Sequence, residues 1–427
     1  MLKALRKNKW VIKAFLSAKW ALKKRLFSGY LKRKKRYYPH RETPADVKRL
    51  IYCALCPNMC RFDCPVLQAS KREKHAVAQK ARLSYYLVMD RLPREERFSV
   101  PVFEGCARCD NCKVWCPFGF SFGELLEGVA VDLFEGGGLP RSAVEHAARV
   151  AENRGLYPAD EYAAAKVALE PLATAGAGEP ARPLDAYYFP GCVTLAHRPE
   201  TLKAVVKLAG AAGVNLGVDL AGRSCCGAPS IAAGDLKTAE TLAAANRDSV
   251  DASGAGVVVC ECPECAHVLK EVYPRLLGVD LGVEVLHASQ WVAHLLESGQ
   301  LSLEPSPLDS GPVVYHDPCV LARKLGVAEA PKKLLAAATG APPLEPPYAG
   351  EGTHCCGFGG LVNVVNPELA GEVCRRRLAE LDRTGGKALV TSCPTCALAF
   401  LKHDVELHFE VMDLLEVVAS KLAKKTG

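Results

Sequence analysis

Acidic side chains are missing from the first 41 residues, which hold fifteen lysines and arginines and no aspartate or glutamate. The rest of the chain carries 39 basic against 47 acidic residues, so the formal charge of +7 belongs to one tail and the body is mildly acidic. A run of 18 or more uncharged apolar residues is also missing, which excludes a membrane-spanning helix. Lysines scattered through the N-terminus leave no apolar core for a secretory signal. No Gly-rich dinucleotide fingerprint follows a strand and no phosphate-binding loop is present, so any flavin or nicotinamide chemistry is expected on another polypeptide. Cysteine, by contrast, is abundant, with twenty in 427 residues. A disulfide framework suits small secreted domains without a core, whereas this chain is long and 49% hydrophobic. The thiols therefore read as metal ligands kept in a reducing cytoplasm.

Eighteen of the twenty fall into four groups. Two runs lie near the N-terminus: Cys53-x2-Cys56-x3-Cys60-x3-Cys64-Pro65 and Cys106-x2-Cys109-x2-Cys112-x3-Cys116-Pro117. Structural zinc needs only two CxxC hairpins and has no use for the trailing Cys-Pro. The second run matches the two-cluster ferredoxin spacing at every position, in which the Cys before Pro serves the other cluster. On that logic Cys53, Cys56, Cys60 and Cys116 hold one cubane [4Fe–4S] centre, and Cys106, Cys109, Cys112 and Cys64 hold the second. One extra residue between Cys56 and Cys60 departs from the standard run.

The other two groups repeat one pattern. Cys192, Cys225-Cys226 and Cys262-Pro-Glu-Cys265 recur as Cys319, Cys355-Cys356 and Cys393-Pro-Thr-Cys396, at offsets of 127, 130 and 131 residues. Three motifs sharing nearly one offset make the C-terminal half two copies of a unit. Adjacent side chains on a strand point to opposite faces, so each Cys-Cys pair is expected in a loop. Each Cys-Pro-x-Cys is expected to open a helix, whose N-terminus favours thiolate.

Residues 45–170 read as helical around their cysteine loops, with helices over 122–134, 141–153 and 158–169. The Pro-, Gly- and Ala-rich stretch 171–184 reads as a linker. Beyond it, units at 185–300 and 311–424 alternate helices with strands near 187–189, 257–259, 283–286, 313–315, 388–391 and 409–412, the texture of α/β layers. Residues 2–36 read as one helix with Leu5, Ile12, Phe15, Leu16, Leu22, Leu26, Phe27 and Tyr30 on one side and lysines mostly opposite. The basic amphipathic segment 1–40 is expected to lie on a membrane surface, in preference to a partner subunit or nucleic acid.

A Cys-x(31–39)-Cys-Cys-x(35–36)-Cys-x-x-Cys motif, present twice, resembles the cysteine-rich CCG domain of heterodisulfide reductase. With the ferredoxin-like pair before it, the chain over roughly residues 45–415 looks like the D-type subunit of that family. Related domains occur in iron–sulfur subunits of glycolate oxidase and anaerobic glycerol-3-phosphate dehydrogenase. The resemblance implies an α+β multidomain protein: an N-terminal all-α dicluster ferredoxin-like domain, then two repeated α/β CCG domains. It implies two further, noncubane [4Fe–4S] clusters, one on Cys192, Cys225, Cys226, Cys262 and Cys265, the other on Cys319, Cys355, Cys356, Cys393 and Cys396. The latter set is assigned the chemistry, because Gly357-Phe-Gly-Gly permits close approach while Ala228-Pro229 stiffens the first unit. The function implied is a cytoplasmic electron-transfer subunit of a respiratory or energy-conserving oxidoreductase, peripheral at the inner face of the membrane. Its chemistry would be thiol/disulfide or quinone-linked, and its partners flavoprotein or membrane cytochrome subunits rather than nucleic acid. The alternative is the iron–sulfur subunit of a flavin-dependent glycolate, lactate or glycerol-3-phosphate dehydrogenase. Cys260 and Cys374 are left for packing, and His316 and His354 read as loop histidines close enough to bond sulfur or move protons.

Overall fold

A computed structural model describes residues 16–174, 184–218, 225–404 and 408–423. Asp46 accepts a hydrogen bond from the Arg49 amide and caps the helix Val47–Leu55. That helix buries Leu50 and Ala54 beside the helix Val77–Val88. Ser121 caps Phe122–Glu135 in the same way through the Glu124 amide, and Leu125, Leu126, Val129 and Leu133 complete the packing. Helix Arg141–Asn153 bridges two cores, with Ala143 and Ala147 in that of the helical domain and Val150 in that of the first α/β unit, where Ala165 and Leu169 of the helix Ala163–Leu169 also enter.

The first α/β unit is a parallel sheet of β1 (Ala173–Thr174), β2 (Ala186–Phe189), β3 (Leu216–Val218), β4 (Val257–Cys260) and β5 (Glu284–His287), in the order β1-β3-β2-β4-β5. β1 lies inside the stretch read as a linker, and residues 175–183 of that stretch are outside the described residues. The second unit has β6 (Val313–His316), β7 (Ala388–Thr391) and β8 (Glu410–Asp413), also parallel and in that order. A parallel bridge from Val314 to Leu344 stands where β3 stands in the first unit. The sequence repeat is therefore a repeat of topology, down to the strand order.

Period-two alternation sorts these strands among three cores. Val313, Tyr315, Ala388 and Val390 of the second unit share a core with Ala186, Tyr188 and Val259 of the first. Val314 and Leu389, on the opposite face, join the core of the helical domain. Tyr187, Phe189 and Val258 pack within the first unit. The second unit is thus gripped from both sides.

Of the tail, residues 1–15 lie outside the described residues. The continuous helix expected over 2–36 is not observed: helical geometry breaks at Ala18 and Lys19, and a helix runs Trp20–Tyr37. The Lys23 ammonium donates to the Leu16 carbonyl, so a side chain rather than a helical amide satisfies the end of the upstream turn. Leu16, Trp20 and Leu22 are exposed. Among the described residues no helix is long and apolar enough to cross a membrane.

Candidate metal centres

The N-terminal runs cross over. Cys53 has Cys60, Cys56 and Cys116 as its thiol neighbours, and burial beside them pushes it up to about 12. Cys106 has Cys109 and Cys64. The crossing is held by Asp63, whose carboxylate accepts from Asn111 Nδ2 (2.8 Å) and Trp115 Nε1 (2.7 Å) across the two loops. The extra residue in the first run is taken up at Asn58, which adopts a left-handed conformation (φ 69°) before the turn Met59–Phe62. Its side chain turns inward and accepts from the Ala78 amide.

Both Cys-Cys pairs lie in loops, and Cys262 and Cys393 each stand at the N-cap of the helix they open, Pro263–His267 and Pro394–His403. All ten cysteines of the two motifs are buried. In the second, Cys319 meets Cys355 at 3.9 Å and Cys396 meets Cys356 at 3.2 Å. The first repeats these pairs as Cys192 with Cys225 and Cys265 with Cys226. Two contacts cross domain borders. Cys262 touches Cys393 between the units, and Cys109 of the helical domain touches Cys355. The latter contact holds Cys109 below the usual thiol range and Cys355 above it.

A cavity of about 860 Å³ opens where the three domains meet, with Cys192, Cys226 and Cys262 on one wall and Cys319, Cys356 and Cys393 on another. Arg108, Arg323 and Lys324 line it too, together with Asp110 and Glu264. Arg323 donates to the carbonyls of Cys109 (2.6 Å) and Thr353 (2.6 Å), bolting the helical domain to the second unit.

The donor set fits iron–sulfur clusters. Among the described residues no three donors close on a single ion; the CCG thiols instead face the cavity between the domains, and Cys64, Cys106, Cys109 and Cys112 line a small space of their own. Backbone amides of Asn58, Phe122 and Gly357 point at the sulfurs of Cys56, Cys112 and Cys355 at 3.3 to 3.4 Å, the hydrogen bonds that stabilise charged sulfur. Two cations, the buried Lys80 and the half-buried Arg323, face the thiols as partners for a negatively charged group.

Neither His316 nor His354 bonds sulfur. His354 lies between Asp63 and Glu380, 2.9 Å from each carboxylate, and stacks on Tyr348. His316 ends β6 and accepts from Arg377 Nε at 3.2 Å. The glycines of Gly357-Phe-Gly-Gly, expected to admit a ligand, admit the helical domain: Cβ atoms at Gly359 and Gly360 would stand 2.3 Å from the Ala107 carbonyl oxygen and 2.6 Å from that of Cys106. Cys260 and Cys374 are buried, and Cys374 donates to the Ala399 carbonyl. Lys80 and Arg323 went unread in the sequence. Lys80 was recoverable, as a cation inside the apolar stripe Val77, Ala81, Tyr85, Val88 of its helix.

Comparison with known proteins gives the same division. Residues 186–270 and 313–401 match the family model of a cysteine-rich (CCG) domain, and residues 52–121 match that of a 4Fe-4S dicluster domain. The chain is 30% identical over 328 residues to the D-type subunit of dihydromethanophenazine:CoB–CoM heterodisulfide reductase from Methanosarcina acetivorans, covering 74% of this chain and 77% of that one. The Methanosarcina barkeri protein of the same name is 27% identical over 76% of this chain and 78% of its own length. A subunit of the CoM/CoB fumarate reductase of Methanothermobacter marburgensis is 27% identical over 87% and 72% respectively. With its dicluster domain, its paired CCG domains and relatives aligned over most of their length, the chain belongs to the heterodisulfide reductase D-type family of iron–sulfur proteins.

Proposed function

We propose that the chain is the electron-transfer subunit of a respiratory or energy-conserving oxidoreductase, joining two cubane sites to thiol/disulfide or quinone-linked chemistry at the CCG sites. Cys53, Cys56, Cys60 and Cys116 would hold one cubane, and Cys64, Cys106, Cys109 and Cys112 the other. The five motif cysteines of each CCG unit would hold a noncubane cluster. When bound, these groups supply one-electron carriers and a place where a disulfide is opened in one-electron steps.

The carrying observation is the unbroken order of the thiol sets. Cys109 against Cys355, then Cys393 against Cys262, supports a path from the dicluster domain through the second CCG set to the first. All four thiols of the first crossed set, Cys53, Cys56, Cys60 and Cys116, are partly exposed, against two of four in the second, which leaves the first set within reach of a redox partner. The cavity between the CCG sets offers room for a small substrate. A second reading, an iron–sulfur subunit for a flavin-dependent glycolate, lactate or glycerol-3-phosphate dehydrogenase, draws on the same half-exposed entry. Basic residues of the tail would hold the protein against the inner face of the membrane.

Anaerobic purification with native partners tests this. Four clusters require about sixteen irons per chain, and a co-purifying membrane cytochrome supports the first reading. Eight irons or fewer would empty the CCG sites, and a bound flavoprotein with dehydrogenase activity would install the second reading.

A further inference from the structure

Lys80 is 1% exposed on the inner face of the helix Val77–Val88. A small space of about 20 Å³ is lined by this side chain together with Cys64, Cys106, Cys109 and Cys112, the whole crossed set of the second cubane site. Its ammonium donates to the carbonyl of Gly105, the residue before Cys106, and lies 5.3 Å from the centre of the Phe122 ring. Among the described residues it forms no ion pair with a carboxylate. Glu104, close by in sequence, is engaged by Lys74, His75 and Asn366.

A buried, unpaired ammonium is costly unless an anion faces it. Here the anion is the thiolate set itself, with whatever negative charge the bound group adds. Reduction adds one further negative charge there, with no bond made or broken. Burial opposes that charge and a fixed cation favours it, more strongly in dry surroundings than in water. We propose that Lys80 sets the reduction potential of the second cubane site, holding it up against its own burial so that it accepts electrons from the half-exposed first site. This inference rests on the cluster assignment proposed above.

The test uses the full chain purified anaerobically with its iron, titrated with dithionite in the presence of mediators and followed by electron paramagnetic resonance. In Lys80→Met and Lys80→Gln one of the two cubane midpoints falls by at least about 59 mV, the equivalent of a tenfold change for one electron. The other midpoint moves less, and Lys48→Gln, on the exposed face of a neighbouring helix, moves neither. Unchanged midpoints in both Lys80 variants overturn the proposal. Loss of one cubane signal in both variants also overturns it, by assigning Lys80 to cluster assembly. Parent protein without two cubane signals would instead sink the cluster assignment.

Discussion

Cys109 and Cys355 meet thiol to thiol although they belong to different domains, and Arg323 fastens the same junction by donating to the Cys109 and Thr353 carbonyls. The joint between the helical domain and the second CCG unit is therefore made from candidate ligands themselves. Anything that loosens it separates candidate ligand sets as well as domains.

Substitution at Cys355 tests the order of the thiol sets. On the proposed path the second CCG set links the dicluster domain to the first CCG set, so Cys355→Ser should lower turnover by roughly a hundredfold or more, the scale of losing one step of that path. The cubane signals of the N-terminal domain should persist. Parent-like activity would remove that site from the path.

Gly360 should not tolerate a side chain. Its φ is +61° and a Cβ would stand 2.6 Å from the Cys106 carbonyl oxygen. Backbone strain of this kind costs about 1–3 kcal/mol, and the clash adds to it. Gly360→Val should lower the thermal midpoint and expose the helical domain to protease while its own helices stay folded. An unchanged midpoint with unchanged protease resistance would contradict the close docking.

Asp413 ends β8, caps the helix Leu414–Ser420 and is fully buried, and burial beside Glu416 raises it to about 7. The folded state then holds a proton that the unfolded chain has released above about 4. Stability should fall as pH rises from about 4 to 7, with a limiting slope of about 1.4 kcal/mol per pH unit. Asp413→Asn keeps a good cap and should flatten this slope when thermal midpoints are compared at about pH 5 and pH 8, either side of the folded value. A variant with the parent's slope would clear Asp413.

The tail should bind anionic membranes. Each basic residue near such a surface contributes about 1 kcal/mol, so five of the fifteen give roughly 5 kcal/mol. Exposed Leu16, Trp20 and Leu22 add apolar area for insertion. Removing residues 1–40 should abolish sedimentation with anionic vesicles and leave the cluster spectra unchanged. Full-length protein that ignores vesicles at low salt but binds a membrane subunit would make the tail a docking helix.

Strands and cysteine loops were legible because each has a local cause. β6 and β7 are short apolar runs ended by polar residues, and Cys-Pro at a helix start is visible in four letters. β1 and β3 were not, since two or three residues carry no periodicity and their pairing comes from the neighbouring strand. The spacing of each cysteine group could be read along the chain, but not which group adjoins which. That order depends on Gly359 and Gly360 receiving the Cys106–Ala107 backbone, a contact between segments more than 200 residues apart. The partners of His354 were hidden for the same reason: Asp63 and Glu380 come from two other segments.

Where the tail joins the body, Arg41 is fixed to Asp90, to the Val88 carbonyl and to Asp132, whose carboxylate also receives Arg94. The carbonyls of Arg36 and Tyr37 are held by Arg91 and Tyr85. All of this happens at the C-terminal end of Val77–Val88, whereas Asn58 of the first cysteine run is tied to its N-terminal end through Ala78, and Ala54 to its middle through Arg82. The rod between them is about 18 Å long. A surface that captures the Trp20–Tyr37 helix therefore acts through a fixed pivot and not a slack tether. It would orient the body like a moored hull, with Leu55, Met59 and Phe62 carried at the free end of the rod.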